Sequence, residues 1–151
     1  MAKTKAGEGA SSLDGLLCFS VYATGHAFNH VYRPMLAGIG LTYPQYLVMV
    51  VLWAEDGRTV GELGHELFLE SSTLTPILKR LAALGHVERA RDKADERQVR
   101  VHLTQKGRAL HHQAMGIPSR IAAATGLSRA DFARLQADLG SIRCRLLAQR
   151  H

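Results

Sequence analysis

The sequence predicts a mainly α-helical protein with one small β-hairpin, and the order of its elements supports this fold class. Between residues 59 and 103, a short helix, a turn, a second helix and two short strands follow one another. This is the order of a winged helix-turn-helix, with the hairpin as the wing. The flanking segments read as longer helices.

The short helix begins with a capping box at residues 59–62. The Thr59 hydroxyl can accept a hydrogen bond from the backbone N–H of Glu62, and the Glu62 carboxylate can return to the backbone of Thr59. We expect the helix to direct Leu63, Leu67 and Phe68 into the core.

The second helix should be capped by Ser71 or Ser72 and end at Gly85, which tolerates a positive φ. An apolar stripe runs along one face: Leu74, Ile77, Leu78, Leu81 and Leu84. The opposite face has small hydroxyls near the N-terminus and cations further along: Ser72, Thr73, Thr75, Pro76, Lys79 and Arg80. Such a face suits a helix that enters the major groove of DNA.

The hairpin is predicted at Val87–Ala90 and Val99–Leu103, joined by the polar residues 91–98. From residue 79 to residue 108 there are nine Lys and Arg against four Asp and Glu, while the whole chain has a formal net charge of +6. The basic charge is therefore concentrated on the reading motif. A merely solvated loop is the alternative, but the concentration favours phosphate binding by counterion release.

Helices on both sides complete the chain. The first should start within residues 11–14 and run to about Ala37, with Pro34 kinking it or ending it early. Thr42 opens an apolar helix that runs through Trp53, and Thr104 and Ser128 each cap a further helix. The last helix has a coiled-coil-like spacing of apolar residues: Phe132, Leu135, Leu139, Ile142 and Leu146.

These terminal helices predict an intertwined homodimer, with pairing of the first and last helices within one chain as the alternative. We expect a disordered tail at residues 1–12 and a single domain at residues 13–151. Within the domain, residues 59–103 form the DNA-reading unit, and residues 13–38 and 104–149 form the dimerisation helices. A two-fold dimer would bind a pseudo-palindromic site in double-stranded DNA.

Five segments carry a family resemblance: LCF at 17–19, VYRP at 31–34, LTYPQYL at 41–47, STLTPILKR at 72–80 and DER at 95–97. They resemble the multiple-antibiotic-resistance-regulator (MarR) family of winged-helix dimers, and most of all its organic hydroperoxide resistance repressors. The similarity runs from about Leu13 to Leu127. It implies a repressor that organic hydroperoxides oxidise at Cys18, and that then leaves its operator.

The resemblance also implies roles for individual residues. Tyr32 and Tyr22 would hold the Cys18 thiol, and Tyr43 would be a further phenol. In the wing, Arg97 would enter the minor groove with Asp95 orienting it. For the major groove we predict contacts from the second helix: Ser71, Ser72, Thr73, Thr75, Lys79 and Arg80.

Helix geometry supports the redox role of Cys18, although a lone helical cysteine is by default an inert, packed side chain. Tyr22 lies one turn along on the same face. Tyr32 lies fourteen residues on, about 1400° around but roughly 21 Å away, so it cannot reach Cys18 of its own chain. It would meet Cys18 of a partner if two first helices crossed antiparallel at Gly25. We expect little help from the helix dipole, with Cys18 nearly two turns inside the helix.

The fate of an oxidised Cys18 stays open. Family members with a resolving cysteine carry it in the segment that matches residues 122–127, where this chain has none. Cys144, in the last helix, is expected to be a bystander, although a Cys18–Cys144 bridge is an alternative. A low-molecular-weight thiol could instead cap the sulfenic acid, or over-oxidation could follow.

Other functional classes find little support in the sequence. His26 and His30 have a metal-ligand spacing but no nearby acidic or cysteine partner, so we expect no metal, and no cofactor motif is present. No membrane span or secretory signal is evident, which predicts a cytoplasmic protein. A regulator released non-covalently by a small aromatic ligand, with Cys18 structural, is the alternative function. A thiol peroxidase would leave the DNA-reading unit unexplained, so we expect no enzyme.

Overall fold

The computed structural model describes residues 13–149, so the predicted disordered tail lies outside the described residues. Within them the elements follow in this order: a 3-10 turn Leu13–Gly15, α1 Leu17–Ala37, α2 Tyr43–Ala54, β1 Arg58–Thr59, α3 Val60–Leu67, α4 Ser71–Ala83, β2 Val87–Arg91, β3 Val99–Leu103, α5 Gln105–Ala114, α6 Ile117–Ala124 and α7 Arg129–Leu147. The fold is a winged helix-turn-helix flanked by helices, as predicted. In the described part of the chain, no helix is both long and apolar enough to span a membrane.

The wing is a three-stranded antiparallel sheet in the order β1-β3-β2. The hairpin register pairs Val87 with Leu103 and Arg91 with Val99. The short β1, which pairs Arg58 with Val101, was not predicted because two residues cannot show an alternating pattern. Asp56 helps to fix it by accepting a hydrogen bond from the backbone N–H of Leu103 at 2.7 Å.

The core of the reading unit joins α2, α3, α4 and the sheet. Its buried members include Leu52, Leu63, Leu74, Leu78, Leu81, Val87 and Val101. The capping box predicted at Thr59 forms, with the N–H of Thr59 donating to the Glu62 carboxylate at 2.7 Å. Thr42 starts α2 in the same way, and its N–H donates to the Gln45 side chain at 2.9 Å.

Two details of the helix-turn-helix differ from the prediction. Glu70 is the N-cap residue of α4 and makes no side-chain cap bond, so Ser71 and Ser72 lie in the first turn and do not cap it. Phe68 does not point into the core but is 58% exposed. It ends α3 in the left-handed region with φ 56°, and the Arg143 guanidinium of α7 lies 4.7 Å from its ring centroid.

Helix α1 begins later than predicted but ends at Ala37, as predicted. It begins at Leu17, after a separate 3-10 turn, because Leu16 already has an extended backbone. Pro34 does not end it early, since the helix continues to Ala37. Cys18 is therefore the second helical residue, and the expectation that it lies nearly two turns inside is wrong.

The C-terminal part contains one helix more than predicted, because a break at Met115 and Gly116 separates α5 from α6. Thr104 and Ser128 cap α5 and α7 as predicted, each accepting a backbone N–H bond at 3.0 and 3.1 Å respectively. No described residue of α7 is buried, and the predicted seam remains open, with Leu135 48% and Leu146 66% exposed.

A close contact joins α5 to the root of the wing. A Cβ added to Gly107 would lie 2.0 Å from the backbone oxygen of His86, so only glycine fits there. The Trp53 indole of α2 donates to the Gly107 carbonyl at 2.9 Å. These contacts fix the reading unit on α2 and α5.

Candidate DNA interface and redox site

Helix α4 exposes the side chains predicted to read DNA. Ser71, Ser72, Thr73, Lys79 and Arg80 are exposed, and Thr75 is partly exposed. The Thr75 hydroxyl donates to the backbone oxygen of Ser71 at 2.8 Å, so its proton is already used within the helix. The opposite face packs into the core through Leu74, Leu78 and Leu81.

At the tip of the wing, Arg97 forms an ion pair with Asp95. Two bonds join its guanidinium to Asp95, Nε to Oδ1 at 3.1 Å and Nη2 to Oδ2 at 3.3 Å, while the Arg97 side chain is 91% exposed. The Arg97 side chain, as a hydrogen-bond donor, is the main cause that lowers the pKa of Asp95. The acidic residue thus presents the cation outwards, in the arrangement that the family resemblance implies.

Asp92 and Arg100 anchor that loop and were not singled out from the sequence. The buried Asp92 carboxylate accepts the backbone N–H groups of Ala94 and Asp95 at 2.7 and 3.1 Å and pairs with Arg100. Arg100 also donates to the carbonyl of Gly57 at 2.8 Å. Hydrogen bonds from the Ala94 and Asp95 backbones are the leading causes that lower the pKa of Asp92. An aspartate at a turn start was the available signal.

Cys18 is an exposed, free thiol at the start of α1. The first backbone N–H groups of a helix have no partner within the helix and point out of its N-terminal end. The helix dipole favours negative charge there. The position therefore suits a reactive sulfur better than the helix interior would. Tyr22, one turn further, is 63% exposed and packs edge-on against His26 with ring centroids 4.4 Å apart.

Tyr32 and Tyr43 come together at the other end of α1, with their ring centroids 4.7 Å apart. Tyr46 adds a third phenol, 5.8 Å from Tyr32. Burial, together with the neighbouring Tyr43 and Tyr46, raises the pKa of Tyr32 to about 12, and burial raises the pKa of both neighbours. All three phenols are thus protonated donors at neutral pH. Tyr46 was missed as a site residue, although it follows Tyr43 by three positions in α2.

The predicted redox residues therefore fall into two separate groups along one continuous helix. Cys18 and Tyr22 lie at its start and Tyr32 lies near its end, about 21 Å away by helical rise. Residues 20–30 between them are all exposed, and a Cβ added to Gly25 would meet no atom within 4 Å. A single chain cannot complete the predicted site.

Two candidates from the sequence remain, the second cysteine and a metal site. Cys144 is a free, exposed thiol of α7. Across residues 13–149, no group of three or more His, Cys, Asp or Glu side chains is placed to hold a metal ion.

Comparison with known proteins places this architecture in a family. The family described as "Transcriptional regulator SarA/Rot" matches residues 30–114. The transcriptional regulator TtmR of Methylorubrum extorquens (strain PA1) is 52% identical over 138 residues, covering 91% of this chain and 71% of that protein. The organic hydroperoxide resistance transcriptional regulator of Bacillus subtilis (strain 168) is 39% identical over 127 residues, covering 84% of this chain and 86% of that protein.

Among solved structures, AbfR of Staphylococcus epidermidis is 34% identical, with a TM-score of 0.76 over 91% of this chain and 95% of that chain. For reduced AbfR bound to DNA the TM-score is 0.74, over 89% of this chain and 93% of that chain. For over-oxidised AbfR bound to DNA it is 0.72, over 89% of this chain and 94% of that chain. For the disulfide form of AbfR the TM-score is 0.59, over 90% of each chain. The chain therefore belongs to the SarA/Rot and MarR type of winged-helix transcriptional regulators.

Proposed function

We propose that this regulator is a homodimeric repressor that binds double-stranded DNA and releases it when an organic hydroperoxide oxidises Cys18. The observation that carries the proposal is the placement of two groups along α1: the Cys18 thiol lies at its start, and a cluster of phenols lies near its end. The similarity to an organic hydroperoxide resistance regulator supports the same chemistry.

DNA binding rests on α4 and the wing. The exposed hydroxyls and cations of α4 suit the major groove, and Arg97, held by Asp95, suits the adjacent minor groove. In a two-fold dimer, two such units would contact half-sites about 34 Å apart, one turn of DNA.

Dimerisation would complete the redox site. If two α1 helices cross antiparallel at Gly25, Cys18 of one subunit lies opposite Tyr32 of the partner subunit, because residues 18 and 32 are equally far from 25. The open space at Gly25 permits a close approach of the two backbones. The phenols of Tyr32 and Tyr43 would then donate hydrogen bonds to the sulfur or to a bound peroxide.

The proposed reaction is a two-electron oxidation of sulfur. The Cys18 thiolate attacks the distal oxygen of the hydroperoxide, an S–O bond forms and the O–O bond breaks. The alkoxide leaves and takes up a proton to become an alcohol, while Cys18 becomes a sulfenic acid. A low-molecular-weight thiol can then condense with it, forming a mixed disulfide and releasing water.

We assign release of DNA to such a disulfide state rather than to over-oxidation. The relative AbfR has been solved on DNA in its over-oxidised form, and this chain resembles that form more closely than the disulfide form. A thiol adduct between two crossed helices would displace the phenols and alter the spacing of the wings. Each tenfold loss of DNA affinity requires only about 1.4 kcal/mol.

An operator-binding titration with and without cumene hydroperoxide tests the proposal. The duplex is one that the reduced protein selects from a random-sequence pool. Wild type and Cys144→Ser should release it after oxidation in the presence of a small thiol, and Cys18→Ser should stay bound. Release of Cys18→Ser to the same extent as wild type would show that Cys18 is not the sensor.

A second function is favoured by the groove between α1 and α2, which has a volume of about 530 Å³. His30 and Arg33 line it beside Tyr43, a combination that suits a small aromatic carboxylate. A regulator of this kind would release DNA without oxidation, and Cys18→Ser would keep the response to its ligand.

A further inference from the structure

A second groove, of about 570 Å³, lies between the N-terminus of α4 and the wing, and we name it the helix–wing groove. Ser71 and Thr75 line its helix side, and Arg89, Arg97 and Gln98 line its wing side. Arg89 was not among the residues expected to contact DNA.

The strand register explains why Arg89 faces this groove. Arg89 pairs with Val101, and two positions earlier Val87 pairs with Leu103. Directly paired residues share one face of a sheet, as do residues two apart in a strand. Val87, Val101 and Leu103 are buried against the helices, so the same face carries Arg89 beyond the core towards α4.

Arg89 is electrostatically available, unlike Arg97 and Arg100. Arg97 pairs with Asp95, and Arg100 pairs with Asp92. Within residues 13–149, no carboxylate lies within ion-pairing distance of Arg89. Glu62 does line the groove, but its carboxylate accepts the backbone N–H of Thr59 at 2.7 Å.

The helix side of the groove offers donors as well. Glu70, the N-cap residue of α4, makes no side-chain cap bond, and Ser71 and Ser72 are exposed in the first turn. The N-terminus of a 13-residue helix thus faces an unpaired guanidinium across an open groove. Backbone N–H groups at a helix start and an arginine fork both fit a phosphate.

We propose that the helix–wing groove holds one backbone phosphate of DNA per subunit, with Arg89 as its principal cation. The inference rests on the proposed DNA binding and adds to it a contact that positions the duplex without reading its sequence. It differs in this from the major-groove side chains of α4.

Salt-dependent titrations with two duplexes test this contact, one selected by the wild-type protein from a random pool and one unrelated duplex of equal length. The variants are Arg89→Ala, Arg89→Lys and, as a control that removes one exposed cation elsewhere, Arg134→Ala. Arg89→Ala should weaken both duplexes alike, by about fivefold per subunit near 0.15 M salt, and lower the slope of log affinity against log salt by about 0.9 per subunit. Arg89→Lys should keep the slope, and Arg134→Ala should match wild type.

If Arg89→Ala bound DNA with the affinity and salt slope of wild type, the inference would be overturned. A loss of affinity confined to the selected duplex would also overturn it, because Arg89 would then be a base-reading residue. If wild type selected no duplex from the pool and did not bind the unrelated duplex, the proposed function would fail instead. Thermal unfolding of each variant verifies that the exposed substitutions leave the fold intact.

Discussion

The DNA-reading unit and the terminal helices bury their apolar residues to very different extents. In the reading unit, Leu63, Leu74 and Leu81 are fully buried against α2 and the sheet. In α7 no described residue is buried, and in α1 Leu36 alone is. The reading unit is therefore complete within one chain, whereas the terminal helices expose apolar seams that water does not stabilise. In the proposed homodimer, a second copy of the chain covers these seams.

The largest effect should come from truncating one leucine in each region. Leu78→Ala removes a side chain that is 1% exposed, and should lower the free energy of unfolding by about 2–5 kcal/mol. Leu139→Ala truncates a side chain that is 40% exposed in the single chain, and should act mainly on subunit association. Chemical denaturation at several protein concentrations measures both effects.

If Leu139→Ala destabilised the protein equally at every protein concentration, the apolar seam of α7 would be packed within one subunit. The contrast between the two regions would then be wrong. A loss that grows on dilution would confirm that α7 depends on a partner.

A smaller effect is expected at the proposed crossing of the α1 helices. Replacing a glycine inside a helix by alanine ordinarily stabilises the helix by about 1 kcal/mol. Gly140→Ala in α7 should show this gain, since its added methyl meets only the flexible end of Arg143 at 3.9 Å. Gly25→Ala should instead weaken the dimer, because the methyl would stand between two backbones. Sedimentation measures the dissociation constant, and a Gly25→Ala dimer as tight as wild type would exclude a close crossing there.

The smallest effect concerns His86, which is buried at the root of the wing with no partner for Nδ1 among the described residues. Burial, and then the neighbouring Lys106, lower the pKa of His86. The unfolded chain therefore binds a proton at higher pH than the folded chain does. This contribution to stability is complete above the ordinary histidine pKa of about 6.5, and is lost as the pH falls from there towards the lowered value.

Denaturation between about pH 7 and pH 5, the range in which histidine titrates, measures this loss. His86→Gln should show a flatter profile than wild type. An unchanged slope would assign the acid sensitivity to other groups.

Much of the fold was predictable from the sequence because its signals are local. The capping box of Thr59 and Glu62, the stripe of Leu74, Leu78 and Leu81, and the positive φ of Gly85 each depend on residues within a turn or two. The ion pair of Arg97 and Asp95 spans two residues and follows the family pattern. Such features form wherever the neighbouring residues allow them.

Contacts between distant residues decided the rest. The two-residue strand β1 exists because β3 pairs with it, and Arg89 faces α4 because of its register with Val101. Phe68 turns outwards beneath Arg143, which lies 75 positions further along the chain. The start of α1 at Leu17, by contrast, is set locally by the extended backbone of Leu16, and it places Cys18 at a helix end. The sequence by itself determined which segments form helices and which faces are apolar, through short-range hydrogen bonding and periodicity. Only the tertiary structure decided which side chains share a surface, because that depends on packing between segments far apart in the chain.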